Sequence, residues 1–296
     1  MNIRALTQFI ALAEHLHFGQ ASIACNISIS ALSRNIRHIE EEAGAVLFNR
    51  DNRSVSLTAK GTLFLQYAKQ ATRQWQVICN ELAESGDELQ GEISLYCSVT
   101  ASHSILFDLL NRFRPDYPGI EIKLHTGDPE HAISRIAAAE EEVAIAALPQ
   151  SVPRGVVFKS ITMSPLLFIA PRKAGELEVP TSRRNSKKQW AQVPMILSEG
   201  GIARTRVNEW FRQLAVTPRI YAQVAGNEAI VSMVGLGLGV GVVPKIVIDN
   251  SPQADRIRVL DIKPVLEPYN IGLFTLKRNL ANPLVSAFWG LVDFDD

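Results

Sequence analysis

Between Ser28 and Glu40 the sequence SISALSRNIRHIE sets two kinds of side chain on opposite faces of one helix. Ser30, Ser33, Arg34 and Arg37 fall at i, i+3, i+4 and i+7, so they project together as a row of hydroxyls and guanidinium donors. Such a row suits the edge of a nucleic-acid groove, where Arg forks onto guanine and Ser takes a base edge or a phosphate oxygen. Ile29, Leu32, Ile36, Ile39 and Ala43 recur at steps of three and four and form the stripe that faces a core. Ile29 stands at the margin of that stripe, open either to packing inward or to meeting a thymine methyl. A solvated surface helix would carry the same Ser/Arg face, so the flanking elements must decide between the two.

A second chemistry is spread over three loops farther along. Ser98-Val99-Thr100-Ala101-Ser102 offers hydroxyls and backbone N–H groups where a strand runs into a helix, an arrangement that suits a small anion. Ser198-Glu199-Gly200-Gly201 repeats it, with Arg204 and Arg206 a turn further on, and Gly226-Asn227 opens a third helix. A small carboxylate bearing hydroxyl or keto groups is the ligand that Ser98, Thr100, Ser102, Ser198, Gly200, Arg204, Gly226 and Asn227 would hold; the competing reading makes each of them an N-cap. Thr126-Gly127-Asp128 is a weaker fourth place, because Asp128 would repel an anion.

Other chemistries lack their residues. The run GLGLGVG from Gly235 to Gly241 has neither G-x-G-x-x-G nor G-x-x-x-x-G-K-S/T spacing and precedes a strand, so its glycines serve a tight helix-to-strand turn. His15, His17, His38, His103, His125 and His131 form no H-E-x-x-H, and no G-x-S-x-G is present, so no catalytic residue, cofactor or metal is expected. Cys25, Cys79 and Cys97 are odd in number and far apart, which indicates neither a disulfide framework nor a zinc site.

The elements that position the Ser/Arg row are short and regular. Asn2 to His17 reads as an amphipathic helix with Ile3, Leu6, Phe9, Ile10, Ala13 and Leu16 inward, and Gln20 to Cys25 as a second, short one. Ser28 is a plausible N-cap for the third, and Gly44 ends it. Leu47 to Thr58 (LFNRDNRSVSLT) reads as two short strands around a charged turn at Asp51 to Arg53. Three helices and a basic hairpin make a winged helix-turn-helix, with the third helix in the major groove and Arg50 and Arg53 within reach of phosphates or the adjacent minor groove. From Ala59 to about Glu84 no proline intervenes, and Leu63 or Phe64, Tyr67, Ala71, Trp75, Ile78 and Leu82 give one apolar seam. A helix of about seven turns needs a partner, and the same helix of a second subunit is favoured. Two recognition helices about 34 Å apart would then read half-sites one turn apart.

After Ser85-Gly86-Asp87 the pattern changes to alternating strands and helices. GEISLYCSV, IEIKLHTG and VAIAALP are strands of a first set; LLFIAP, PMILSEG, IYAQVAG and VGVVP belong to a second; Tyr269 to Lys277 and a helix from Pro283 to Val292 return to the first. Helices are expected to about Phe113, to about Ala139, near Ser186 to Ala191, from Ile202 to Leu214 and from Glu228 to Gly235. This is an α/β multi-domain plan: residues 1–58 a winged helix-turn-helix, 59–89 a linker helix, and 90–296 two lobes built on sheets with parallel strands. Lobe I takes 90–162 and 267–296, lobe II 163–266, and two chain crossings between them make a hinged clamp.

The 296 residues are 47% hydrophobic with a mean hydropathy of +0.06, a formal net charge of zero and a pI of about 7.0. Two or more units are expected from the length, and any basic footprint must be local. No apolar run approaches the roughly 20 residues of a membrane span, and Met1 to Arg4 leads straight into a helix, so a cytoplasmic protein without membrane contact is expected.

The runs F-G-Q-A-S-x-A, S-x-x-A-L-S-R-x-I-R-x-I-E-E, G-x-x-L-F-x-R and S-L-T-x-x-G, in one register from Phe18 to Gly61, resemble the N-terminal signature of LysR-type transcriptional regulators. The resemblance implies major-groove contacts at Ser30, Ser33, Arg34 and Arg37, with Ser28 at the start of the same helix, and a wing contact at Arg53. Many members carry Gln at the position of Ile29 and Pro at that of Ser30, so their base preference does not carry over. The same resemblance implies a periplasmic-binding-protein-like effector domain, a dimerising linker helix, a homotetramer built as a dimer of dimers on double-stranded DNA, and RNA polymerase as a further partner. LFNRDNRSVSLT, CSVTAS, IEIKLHTGD, Arg204 and Arg206 before Glu209-Trp210-Phe211, EAIVSMVGLG, VIDNSP and the closing AFW resemble one branch of that family. That branch activates branched-chain amino acid synthesis in response to acetolactate and acetohydroxybutyrate. Its ligands match the small-anion class read from the loops. A LysR-type regulator of another pathway with a different organic acid, a cytoplasmic solute-binding protein and a small-molecule enzyme are the alternatives.

Overall fold

The computed structural model describes residues 2–50, 54–82, 89–173 and 187–294, which form two compact units: residues 1–91 with 138–140, and the remainder.

The first unit opens with helices α1 (Ile3–His15), α2 (Phe18–Ala24) and α3 (Ile29–Ala43). Each begins on a side chain that accepts a first-turn N–H: Asn2 Oδ1 from Ala5 at 2.9 Å, His17 Nδ1 from Gly19 at 3.1 Å, and Ser28 Oγ from Ala31 at 3.2 Å. Gly44 closes α3 at φ 63°, a left-handed turn that glycine adopts without a Cβ penalty. Leu6, Phe9, Leu12, Leu32, Ile36, Ile39, Leu47 and Phe48 are buried in one core. Three residues expected to face inward do not. Leu16 is 44% exposed because it caps α1 in the left-handed region, and Ile29 and Ala43 are exposed in the first and last turns of α3. The carbonyl oxygen of the buried Gln8 accepts from Asn35 Nδ2 at 2.7 Å.

Strands β1 (Phe48–Arg50) and β2 (Val55–Leu57) pair antiparallel with Phe48 opposite Leu57. The turn expected at Asp51 to Arg53, like the break at Ser85 to Asp87, lies outside the described residues. The S-L-T-x-x-G run has a physical reading here. Thr58 Oγ1 donates to the Val46 carbonyl and accepts the Gly61 N–H, both at 2.9 Å, so it starts α4 (Ala59–Leu82) and fastens it to the strand entry. Helix α4 divides the apolar seam in two. Phe64, Ala68 and Ala71 pack on the unit's own core, with the Phe64 ring 4.7 Å from that of Phe9, while Leu63, Tyr67, Trp75 and Ile78 stay exposed.

The second unit runs β3 (Gly91–Cys97), α5 (Val99–His103), α6 (Ile105–Asp116), β4 (Ile120–Thr126), α7 (Ala132–Ala137), β5 (Val143–Ala147), β6 (Val156–Ser164), β7 (Leu166–Pro171), α8 (Lys187–Gln192), β8 (Pro194–Ser198), α9 (Gly201–Gln213), β9 (Arg219–Val224), α10 (Asn227–Gly235), β10 (Val240–Pro244), α11 (Lys245–Asp249), β11 (Ile257–Val259), β12 (Tyr269–Leu276) and α12 (Pro283–Gly290). Two five-stranded sheets result, in the orders β4-β3-β5-β12-β6 and β11-β7-β10-β8-β9. Both are mixed. β3 runs parallel to β5, and β8 to β10 and β9, but β12 is antiparallel to β5 and β6, and β7 to β10 and β11. The antiparallel members follow from the two crossings: the chain leaves the first sheet at Pro165 and returns to it at Tyr269 from the opposite direction. Ser104, at φ −118° and ψ −92°, splits the first expected helix into α5 and α6. An aromatic cluster of Phe168, Trp190, Trp210 and Phe211 fills the core beneath the second sheet. Among the described residues no helix is long and apolar enough to cross a membrane.

Candidate functional site

On α3 the two faces separate as their spacing requires. Leu32, Ile36 and Ile39 are at most 1% exposed, whereas Ser30, Arg34 and Arg37 are exposed and Ser33 is half-buried. Ser28 Oγ lies 3.1 Å from Ser30 Oγ, so both hydroxyls crowd the first turn of the helix. Ile29 is 55% exposed and joins the polar row instead of the core. Among the described residues no ion pair holds Arg34 or Arg37. Arg50 is different. Its guanidinium meets the Glu40 carboxylate at 2.5 Å and lies over the Phe18 ring, 5.5 Å from its centroid, so its charge is already matched inside the unit. Arg53, expected on the same wing, falls outside the described residues.

In the second unit a cavity of about 440 Å3 opens between the two sheets, within the size range of small-molecule sites. Ser198, Gly200, Gly226 and Asn227 line it, four of the residues expected to hold an anion, together with Asp128, Glu130, Thr205, Arg206 and Tyr269. The other four lie elsewhere. Arg204 turns back along α9, donating to the Ser198 carbonyl at 2.9 Å and to Asn208 Oδ1 at 3.1 Å, and the neighbour two positions on, Arg206, takes the cavity wall. Ser98 caps α5 by accepting the Ala101 N–H, and Ser102 donates to the Val99 carbonyl. Thr100 gives both its N–H, at 3.0 Å, and its hydroxyl to the Glu228 carboxylate.

Arg206 is fixed on three sides. It donates to the carbonyls of Glu267 and Pro268 at 3.0 Å, pairs with the Glu267 carboxylate at 3.1 Å, and lies over Tyr269, 5.4 Å from the ring centroid. Burial pushes the Tyr269 phenol up to about 12, so it stays protonated at any ordinary pH. Burial, then the neighbouring Asp128, also raises Glu130. Asp128 is itself occupied, accepting the Glu130 N–H at 2.9 Å. Sequence reasoning missed Glu130, Tyr269 and Glu228; the only signal for Glu228 was an acid in the first turn after Gly226-Asn227, which reads equally as a helix-dipole partner. Cys97 is buried and its thiol is pushed up to about 12, which keeps it from the thiolate form that redox chemistry needs.

Residues 3–62 match the model of the bacterial regulatory helix-turn-helix protein, lysR family, and residues 86–293 match the LysR substrate binding domain. The chain belongs to the LysR family. It is 43% identical over 295 residues to the transcriptional activator IlvY of Haemophilus influenzae, covering 99% of this chain and 100% of that one. Against the transcriptional regulator IlvY of Escherichia coli K12 the identity is 39%, covering 99% of each. The crystal structure of full-length CbnR complexed with its target DNA shares the fold, with a TM-score of 0.66 at 22% identity and 99% of each chain covered. The protein is thus a DNA-binding transcriptional regulator of the LysR type, and like its relatives it is not an enzyme.

Proposed function

We propose that this LysR-family regulator is an activator of branched-chain amino acid synthesis whose effector is an acetohydroxy acid, acetolactate or acetohydroxybutyrate. The full-length identity to two IlvY regulators carries this reading. The hydrogen-bonding groups of the cavity support it: Ser198, Asn227, Tyr269 and the backbone around Gly200 suit a small acid with hydroxyl and keto oxygens, and Arg206, paired with Glu267 at 3.1 Å, is the cation in a wall that also holds Asp128 and Glu130. Ser30, Ser33, Arg34 and Arg37, with Ile29 among them, form the base-reading face; the exposed side of α4 forms the dimer seam; a dimer of dimers on the promoter engages RNA polymerase in the cytoplasm. Effector binding shifts the protein toward its activating arrangement only in proportion to its preference for that arrangement.

Thermal unfolding of the full chain with acetolactate tests the ligand. At 100 times its dissociation constant the ligand should add about 2.7 kcal/mol of stability. No shift with acetolactate or acetohydroxybutyrate, alongside a clear shift with another organic acid, would assign the regulator to a different pathway. Retention of the promoter of a branched-chain amino acid synthesis gene in a gel shift tests the target.

A further inference from the structure

We infer that Glu228 and Thr100 form a strap that holds the effector cleft closed before a ligand enters it, so that Glu228 acts on ligand affinity as a positioning residue from outside the cavity. The inference rests on the effector reading above for its consequence, though not for the contact itself.

The two residues are 128 positions apart and belong to opposite lobes: Thr100 to α5, beside the first sheet, and Glu228 to the first turn of α10, against the second. Glu228 Oε1 accepts the Thr100 N–H at 3.0 Å and the Thr100 hydroxyl. Both are charge-assisted hydrogen bonds, the stronger kind. Thr100 is itself held, since its carbonyl accepts the Ser104 hydroxyl at 2.7 Å and its side chain is buried. Neither residue lines the cavity, but Gly226 and Asn227, which immediately precede Glu228, do. The strap therefore draws one wall of the cavity toward the other lobe without occupying the space a ligand needs.

The two lobes also come close at a second place. Glu130, from the first lobe, stands so close to the start of α9 that a Cβ placed on Gly200 would come within 2.9 Å of its Oε2, and one on Gly201 within 2.4 Å of its Oε1. Those glycines let the lobes approach, and the Glu228 strap fastens them there. Glu228 is solvent-exposed on its outer side, so the strap opens by exchange with water and needs no core rearrangement. A clasp of this kind raises the fraction of molecules that are ready to bind, and apparent affinity scales with that fraction.

The experiment compares wild-type full chain, E228A and the conservative E228Q, all without DNA. Hydrogen exchange at the Thr100 amide reports the strap, hydroxyl-radical labelling of Tyr269 reports cavity opening, and titration with acetolactate reports affinity. E228A is expected to speed Thr100 exchange and raise the acetolactate dissociation constant, each by about tenfold, and to increase Tyr269 labelling; E228Q, with one acceptor oxygen left, falls between. Unchanged Thr100 exchange in E228A overturns the strap. Faster exchange with unchanged Tyr269 labelling overturns its role in closing the cleft, and an unchanged dissociation constant overturns its role in affinity. Should the wild type bind no acetolactate while E228A still loosens both reporters, the strap stands and the ligand assignment falls.

Discussion

The Glu40 carboxylate binds Arg50 through one oxygen, at 2.5 Å, and accepts the backbone N–H groups of Leu47 and Phe48 through the other, at 2.9 and 3.1 Å. One side chain on the recognition helix thereby sets where the wing begins. Removing the carboxylate leaves two part-buried N–H groups without an acceptor, at a cost of about 1–3 kcal/mol each where water cannot replace it. E40A is expected to lower the stability of the DNA-binding unit by about 2–6 kcal/mol for the two together, with E40Q milder, and urea denaturation followed by circular dichroism measures it. Because Glu40 already neutralises Arg50, R50A should change the salt dependence of DNA binding less than R37A does. Equal slopes for the two variants would return Arg50 to the phosphate-contacting set.

Arg34 and Arg37 are exposed on α3, and among the described residues no ion pair holds either of them. Replacing Arg34 by Ala is expected to weaken specific binding by about 1–3 kcal/mol and to relax preference at one base pair. Titration against the operator and single-base variants of it checks this. A uniform loss across all variants would make Arg34 a phosphate contact.

What the sequence disclosed about these sites follows a physical rule. Where one stretch carries both the packing period and the chemistry, as in α3 with Leu32, Ile36 and Ile39 against Ser30, Arg34 and Arg37, the face assignment is legible in the sequence. The cavity was half readable. Ser198, Gly200, Gly226 and Asn227 are loop residues at strand ends, where open α/β sheets gather ligands, but choosing Arg206 over Arg204 requires the register of α9. Thr100 offers a ligand its hydroxyl and N–H, and in this structure both go to the Glu228 carboxylate; a contact between residues 128 positions apart leaves no mark on local pattern. β6 and β11 went unread as strands because β6 is largely half-exposed, with no clean alternation, and β11 is three residues long.

Helix α4 carries a second apolar face that its own unit does not cover: Leu63 is 69% exposed, Tyr67 54%, Trp75 50% and Ile78 44%. Four large apolar side chains on one side of a long helix favour association, and a second copy of α4 presents the same stripe. W75E is expected to shift the full chain from oligomer toward monomer in sedimentation velocity and to weaken operator binding in parallel, since a monomer reads only one half-site. Intact oligomers with W75E would remove this seam from the interface.

Gly61 occupies the first turn of α4 because a carbonyl lies where a side chain would go. A Cβ there would stand 2.0 Å from the Leu47 oxygen and 3.0 Å from Leu57 Cδ2. The carbonyl cannot retreat cheaply, since it accepts the Thr58 N–H at 2.9 Å and thereby ties the strand entry to the helix start. Alanine favours a helix over glycine by about 1 kcal/mol, while forcing backbone apart in a packed site costs about 1–3 kcal/mol. The clash should win, so G61A is expected to be destabilised. Gly290, at the end of α12, supplies the contrast, because a Cβ there meets nothing within 4 Å. G290A should be neutral or stabilising by up to about 1 kcal/mol. Thermal unfolding of both variants checks the pair: if G61A unfolds no earlier than wild type, the close approach of Leu47 does not account for the glycine in S-L-T-x-x-G.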